Sequence, residues 1–195
     1  MIIVSSTSEP ASVESASRRR PRFGHHEAVP VVESHITVPV GPDLAFWVSQ
    51  TTAPIRYRWD PFVRSQQLMD GATVPAVGVR TATTSRHGLR MVSEYVSFSA
   101  PTNVGMRMLT GPWFFRRFGG GWRFAPGESA GTTLTTWRYN FATRPRLLEP
   151  IADRIGRWLL QRDIDRRIRG YARGCVDPVV IAAASAARDA HQSSG

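Results

Sequence analysis

Four side chains in the middle of the chain are of types that could move a proton or donate to a carbonyl: Asp60, Glu94, Tyr95 and Tyr139. Carboxylates and phenols do such work when a pocket shifts their pKa toward the working pH. Glu94 is read as a cross-strand partner of Arg107, and Asp60, just before Pro61, as a turn residue. Only the two tyrosines are left for a pocket, and no catalytic residue is assigned. Gly127-Glu128-Ser129-Ala130-Gly131 has the letters of a nucleophile elbow, which needs a strand before the serine and a helix after it. A Thr/Trp/Tyr-rich run follows instead, so this segment is read as a hairpin loop. His25, His26, His35, His87 and His191 lack the i, i+4 spacing that would put two ligands on one helix face. Asp163 and Asp165, two apart on a helix, face different ways, and Asp163 is expected to pair with Arg166 and Arg167. No metal and no cofactor are expected. Gly119-Gly120-Gly121 has no accompanying lysine and is not a phosphate loop; it is expected to supply the positive φ of a tight hairpin.

Aromatics and arginines interleave in residues 113–124, a pattern that could stack bases and hold phosphates. Strand geometry offers another use, because alternate side chains face opposite sides. A hairpin at Gly119-Gly120 sets Phe115 near Phe124 and Arg117 near Trp122. A two-residue turn at His87-Gly88 pairs Thr84 with Met91 and Arg80 with Tyr95. A turn at Ala100-Pro101 pairs Tyr95 with Met106 and Ser93 with Met108, and sets Glu94 opposite Arg107. A loop over residues 126–131 pairs Trp122 with Thr135 and Phe124 with Thr133, and a bulge at Gly111-Pro112 keeps the strands in phase. One continuous face then carries Met91, Tyr95, Met106, Met108, Trp113, Phe115, Trp122, Phe124, Trp137 and Tyr139, and these ten are the candidate ligand-binding residues. Methionines among aromatics suit a deformable apolar pocket. Val79, Val92, Val96, Phe98 and Leu109 compete for the inner side from the other face.

The elements that must hold this face follow in order. Residues 35–40 read as a strand and 44–51 as a helix started by Gly41-Pro42-Asp43. Strand patterns follow at 62–69, 77–85, 89–98, 104–110, 113–118, 122–125 and 131–141. A long helix then runs from about residue 147 to 175. Its apolar residues change face near Leu160: Leu148, Ile151, Ile155, Trp158 and Leu159 form one stripe, and Leu160, Ile164, Ile168, Tyr171 and Cys175 another. Residues 1–34 and 177–195 are read as tails, the first disordered and the second Ala/Ser-rich with at most a loose helix, leaving 35–176 as the folded domain.

The chain has 195 residues, 25 basic against 15 acidic, for a net charge of +10, and every basic residue is arginine. Residues 35–176 hold twenty arginines and nine acidic residues, so the excess sits in the folded part. That balance admits an arginine-rich nucleic-acid-binding domain as the alternative function. A lone Cys175 removes any disulfide framework within the chain. No apolar run reaches transmembrane length, and no leader pattern precedes the arginines, so a cytoplasmic location is expected.

Several stretches, taken together, resemble one known family. They are Val38-Pro39-Val40 before residues 43–47, Arg58-Trp59-Asp60-Pro61-Phe62-Val63, and the residues Gly71, Gly78 and Glu94. Gly111-Pro112-Trp113, residues 120–126, residues 131–141 and the helix of residues 147–172 continue the series. Their order is similar to that of the START-related (SRPBCC) superfamily, in its polyketide cyclase/dehydrase and lipid-transport branch, over residues 35–175. The resemblance implies an α+β helix-grip fold: a curved antiparallel sheet of about seven strands wrapped on a long C-terminal helix, with an internal cavity. It further implies a hydrophobic small-molecule ligand, lipid or polyketide-like, with cyclase or dehydratase activity in some members.

Overall fold

A computed structural model describes residues 30–144 and 149–193. Most of the expected N-terminal tail, with His25 and His26, lies outside the described residues, as do Pro145 and Leu148. Seven strands form one antiparallel sheet: β1 (Val31–Val38), β2 (Val63–Leu68), β3 (Arg80–Ser85), β4 (Arg90–Ser99), β5 (Asn103–Thr110), β6 (Phe115–Pro126) and β7 (Thr133–Thr143). Their order in the sheet is β1-β7-β6-β5-β4-β3-β2. Helices α1 (Pro42–Gln50) and α2 (Arg56–Trp59) fill the passage from β1 to β2, and α3 (Glu149–Gly174) and α4 (Pro178–Gln192) follow the sheet. This is the expected helix-grip architecture.

Local chemistry accounts for the elements. In β7, Thr133, Thr135, Trp137, Tyr139 and Phe141 are buried while Leu134, Arg138 and Asn140 are exposed, the alternation of a sheet with one wet face. Pro42 at the start of α1 spends no helical N–H, and Asp43 in the first turn suits the positive end of the helix dipole. The second half of α3 buries Ile164, Ile168 and Tyr171, with Cys175 just beyond it. The Tyr171 hydroxyl donates to the Ala45 carbonyl at 2.8 Å and ties α3 to α1.

Five expectations need correction. Strand β1 begins at Val31, and Val31–Ser34 pair with residues 137–140 of β7. The inward set Val32, Ser34, Ile36 and Val38 is broken by a serine, which hid the apolar alternation. Residues 115–126 form one strand rather than a hairpin. The three glycines lie in mid-strand, outside the left-handed region, and a Cβ on Gly120 or Gly121 would strike the backbone oxygen of Arg138 or Val104. Gly111-Pro112 is the real β5–β6 turn, closed by Phe115 N–H donating to Pro112 O at 3.0 Å, and not a bulge. The β3–β4 loop spans three residues, with Gly88 at φ +81° and Ser85 N–H bonded to Leu89 O. Thr83 therefore faces Met91, and Arg80 faces Glu94, one residue away from the expected register. Residues 177–192 are no loose tail. Asp177 caps α4 by accepting from Val179 and Val180 N–H, and α4 packs on α1, burying Val180 and Ala184 completely.

The β4–β5 register Tyr95↔Met106, Ser93↔Met108 and Glu94↔Arg107 is as expected. The β6–β7 register is shifted by two, to Trp122↔Trp137 and Phe124↔Thr135, because the loop closes through Gly127 and Thr132. An even shift leaves every side chain on its expected face. A bulge at Val96 turns that residue outward and carries Phe98 inward beside Tyr95, with ring centroids 6.0 Å apart. Leu109 is exposed and Val79 packs at the edge of the core, which resolves the competition between faces.

Candidate functional site

The inner face of β2–β7 and the helices α1, α2 and α3 line a partly open cavity of about 100 Å³. Seven of the ten candidate residues line it: Met91, Tyr95, Met106, Met108, Trp122, Trp137 and Tyr139. The other three lie elsewhere. Trp113 stands at the β5–β6 turn, 77% exposed. Phe115 packs on Phe118 and Phe141, and Phe124 on Phe46, as parts of the core. Trp122 and Trp137 stack at 3.8 Å between centroids and form one wall. The backbone of Gly119, Gly120 and Gly121 lines the cavity, and a Cβ on Gly120 would press on the Tyr139 ring.

A charged and buried cluster adjoins this wall. Asp60 is completely buried and accepts from Arg56 Nε at 2.9 Å, Arg167 Nε at 3.1 Å, Arg167 Nη2 at 2.8 Å and the Phe62 N–H at 3.1 Å. Arg56 also donates to the Ser49 carbonyl and lies 4.1 Å over the Trp59 ring. Arg167 donates through Nη1 to the Tyr139 hydroxyl at 2.7 Å and sits 4.4 Å over the Trp137 ring. Arg56, Arg167, Tyr139 and Tyr95 all reach the cavity wall. Asp163 stands 3.7 Å from Arg167 Nη1, as one half of its expected pairing.

Electrostatics fixes the protonation of these groups. Burial by itself would raise the Asp60 carboxyl, but Arg167 and Arg56 outweigh it and hold the pKa at about 2. Burial lowers Arg56 despite Asp60 beside it, whereas Asp60, Tyr139 and Asp163 overcome burial and raise Arg167. Both guanidiniums stay charged at neutral pH. Burial pushes Tyr95 up to about 12 and Tyr139 further, so both phenols keep their protons. The cavity therefore presents hydrogen-bond donors, and the lone pairs of Asp60 are spent on its own arginines.

Of this cluster, the sequence reading had Tyr95 and Tyr139 on the pocket face and Asp60 as a turn residue. Two signals in the sequence point to the rest of the cluster. Arg56 and Asp60 are four apart, the spacing of a helical ion pair. Arg167 lies on the α3 face of Leu160, Ile164 and Tyr171, so an arginine there was bound for the interior. Glu94 is outside the cavity on the outer face, bonded to Arg107 at 2.7–2.8 Å as expected. Ser129 sits in an exposed loop where its carbonyl accepts from Thr132, the geometry of a turn.

A family model described as polyketide cyclase/dehydrase and lipid transport matches residues 30–174. Compared by sequence with curated proteins, the chain finds no match. Among solved structures it is similar to the ZhuI aromatase/cyclase of Streptomyces sp. R1128, with TM-score 0.60 and 17% identity over 75% of this chain and 93% of that one. A START superfamily protein of Mycobacterium smegmatis superposes with TM-score 0.59 and 9% identity over 73% and 97% of the two chains. Norcoclaurine synthase of Thalictrum flavum, solved with dopamine and hydroxybenzaldehyde, gives TM-score 0.57 and 10% identity over 74% and 85%. At these identities the likeness is one of fold.

Proposed function

Because the chain belongs to the polyketide cyclase/dehydrase and lipid-transport family, we propose that it binds a small hydrophobic molecule bearing a carbonyl or phenol, in the cavity between sheet and α3. One observation carries the reading. A single cavity combines three methionines and two stacked tryptophans with two buried guanidiniums and two protonated phenols, and Arg167 lies directly over the Trp137 ring. An apolar body would lie along Met91, Met106 and Met108, and its oxygen would meet Tyr95, Tyr139 and Arg167. The bond from Arg167 polarises the Tyr139 hydroxyl and strengthens it as a donor. Aromatic phenols and aldehydes of the kind held by norcoclaurine synthase are the favoured class.

Size constrains the ligand. A cavity of about 150 Å³ holds benzene and drug-sized sites run to about 300 Å³ or more, so 100 Å³ suits one ring, and only after methionines shift. Unbranched thioether side chains move readily. Donors without a free carboxylate favour holding and polarising a carbonyl over abstracting a proton, so any cyclase or dehydratase chemistry here rests on orientation and carbonyl activation. The nucleic-acid alternative is disfavoured, since of the aromatics in residues 113–124 only Trp113 is exposed, and Trp122 and Phe124 are buried. The proposed setting is the cytoplasm.

The test is thermal unfolding with single-ring and fused-ring phenols and ketones, and mass spectrometry of what co-purifies. Tyr139→Phe and Tyr95→Phe should each weaken a carbonyl ligand roughly ten-fold while leaving its hydrocarbon analogue unaffected. A protein that no such compound stabilises, and that carries no apolar passenger, does not work this way.

A further inference from the structure

The first half of α3 carries an apolar ridge that the fold does not cover. Ile151, Ile155, Trp158 and Leu159 are 64%, 55%, 59% and 53% exposed. Packing does not need them there, because the sheet is met by the other side of this half: Gly156 lies against Phe141 and Thr143, and Asp153 accepts from the Thr143 hydroxyl at 2.7 Å. The spacing 151, 155, 158 continues as 162, 166, 169, 173, one line along the helix at steps of three and four. All four of those later positions are exposed arginines. Arg154 and Arg157 flank the apolar part and are also exposed. Among the described residues none of these six arginines forms an ion pair within 4 Å of a carboxylate, Arg166 acts on Asp163 only through its charge, and Arg162 lies 5.2 Å over the Trp158 ring. Asp165, near the ridge, is bonded to Gln161. At 1.5 Å per residue the ridge presents about 12 Å of apolar surface followed by about 16 Å of cationic surface.

We propose that this face of α3 lies on an anionic phospholipid surface, with its first half entering the acyl boundary and its second half resting on the headgroups. Charge complementarity selects this occupant. An acidic protein or a nucleic acid would satisfy the arginines and leave Ile151, Ile155 and Trp158 in water. A second copy could cover the apolar half but would leave the arginines without counter-charge. Hydrocarbon beneath a negative headgroup layer matches both halves of one helix face, and arginine and tryptophan are the side chains that bridge such a boundary. Trp113 adds an exposed aromatic near the same end, on a turn whose Phe114 carbonyl accepts from Arg144 N–H at 2.9 Å, just before the chain enters α3.

The experiment is vesicle flotation of the full chain at near-physiological salt. Mixed phosphatidylglycerol–phosphatidylcholine vesicles are compared with pure phosphatidylcholine. The wild type should float with the mixed vesicles only and be partly released by added salt. The pair Ile155→Glu and Trp158→Glu, and separately Arg166→Glu and Arg169→Glu, should each lower partitioning at least about ten-fold. Circular dichroism should show the wild-type melting curve for both, since all four residues are exposed. Failure to float overturns the proposal, as does flotation untouched by either pair. Sedimentation showing a dimer that Ile155→Glu dissociates, without vesicle binding, would assign the ridge to a second copy. Binding to single-stranded RNA that depends on the arginine pair alone, again without vesicle binding, would assign it to nucleic acid.

Discussion

A carboxylate shut away from water between two guanidiniums keeps its place only while it is ionised. Asp60 is in that position, and its pKa of about 2 lies below the ordinary 3.8. A carboxyl whose folded pKa is the lower one stabilises the fold above its unfolded pKa. That contribution is lost as pH falls through the folded value. Denaturant unfolding should therefore show stability falling from about pH 4 to pH 2 by roughly 2 kcal/mol, beyond the effect of surface carboxylates. Asp60→Asn should abolish this acid limb and cost about 3–5 kcal/mol at neutral pH, because Arg56 and Arg167 would remain buried without their counter-charge. An unchanged acid limb in the variant would remove Asp60 from the account. In the sequence the aspartate shows as a residue before proline and as one end of an i, i+4 pair with Arg56. Its role depends on Arg167, 107 positions away.

At the scale of elements, β6 shows why a glycine run is ambiguous in a sequence. Glycine serves equally where φ is positive and where another backbone comes too close for a Cβ, and composition does not distinguish the two. Here the neighbours are the carbonyls of Val104 and Arg138, on the two flanking strands. Gly121→Ala should destabilise by about 1–3 kcal/mol as an overpacking change, read from the urea midpoint. A neutral substitution would show that β5 and β6 are further apart than described. Helix α4 makes the complementary point. Its alanines give little hydrophobic pattern, yet Val180 and Ala184 fit against α1, and the His191 ring lies 5.1 Å from Trp47. Small side chains allow close helix approach, a property that appears only when a partner helix is present.

For the molecule as a whole, ligand binding and stability are linked. A compound at a hundred-fold over its Kd adds roughly 2.7 kcal/mol, which for a domain of this size raises the melting temperature by roughly 5–10 °C. Compounds too large to enter even with Met91, Met106 and Met108 displaced should give no shift, so the size cut-off measures how far the cavity opens. No helix among the described residues is long and apolar enough to cross a membrane. Eight of the arginines fall in two groups, a buried pair that builds the cavity wall and an outer ridge of six on α3. The amino-acid order by itself determined most of the strands, the long helix, the family and the face that Tyr95, Met106, Trp122, Trp137 and Tyr139 share. Those rest on alternation and short turns, which are local, and an even slip in register leaves them intact. Only the tertiary structure decided that Asp60, Arg56, Arg167 and Tyr139 meet, that Trp113 is left outside, and that the first half of α3 stays uncovered. These outcomes depend on closing loops of many tens of residues and on which surfaces remain once the core is full, and no local pattern carries that information.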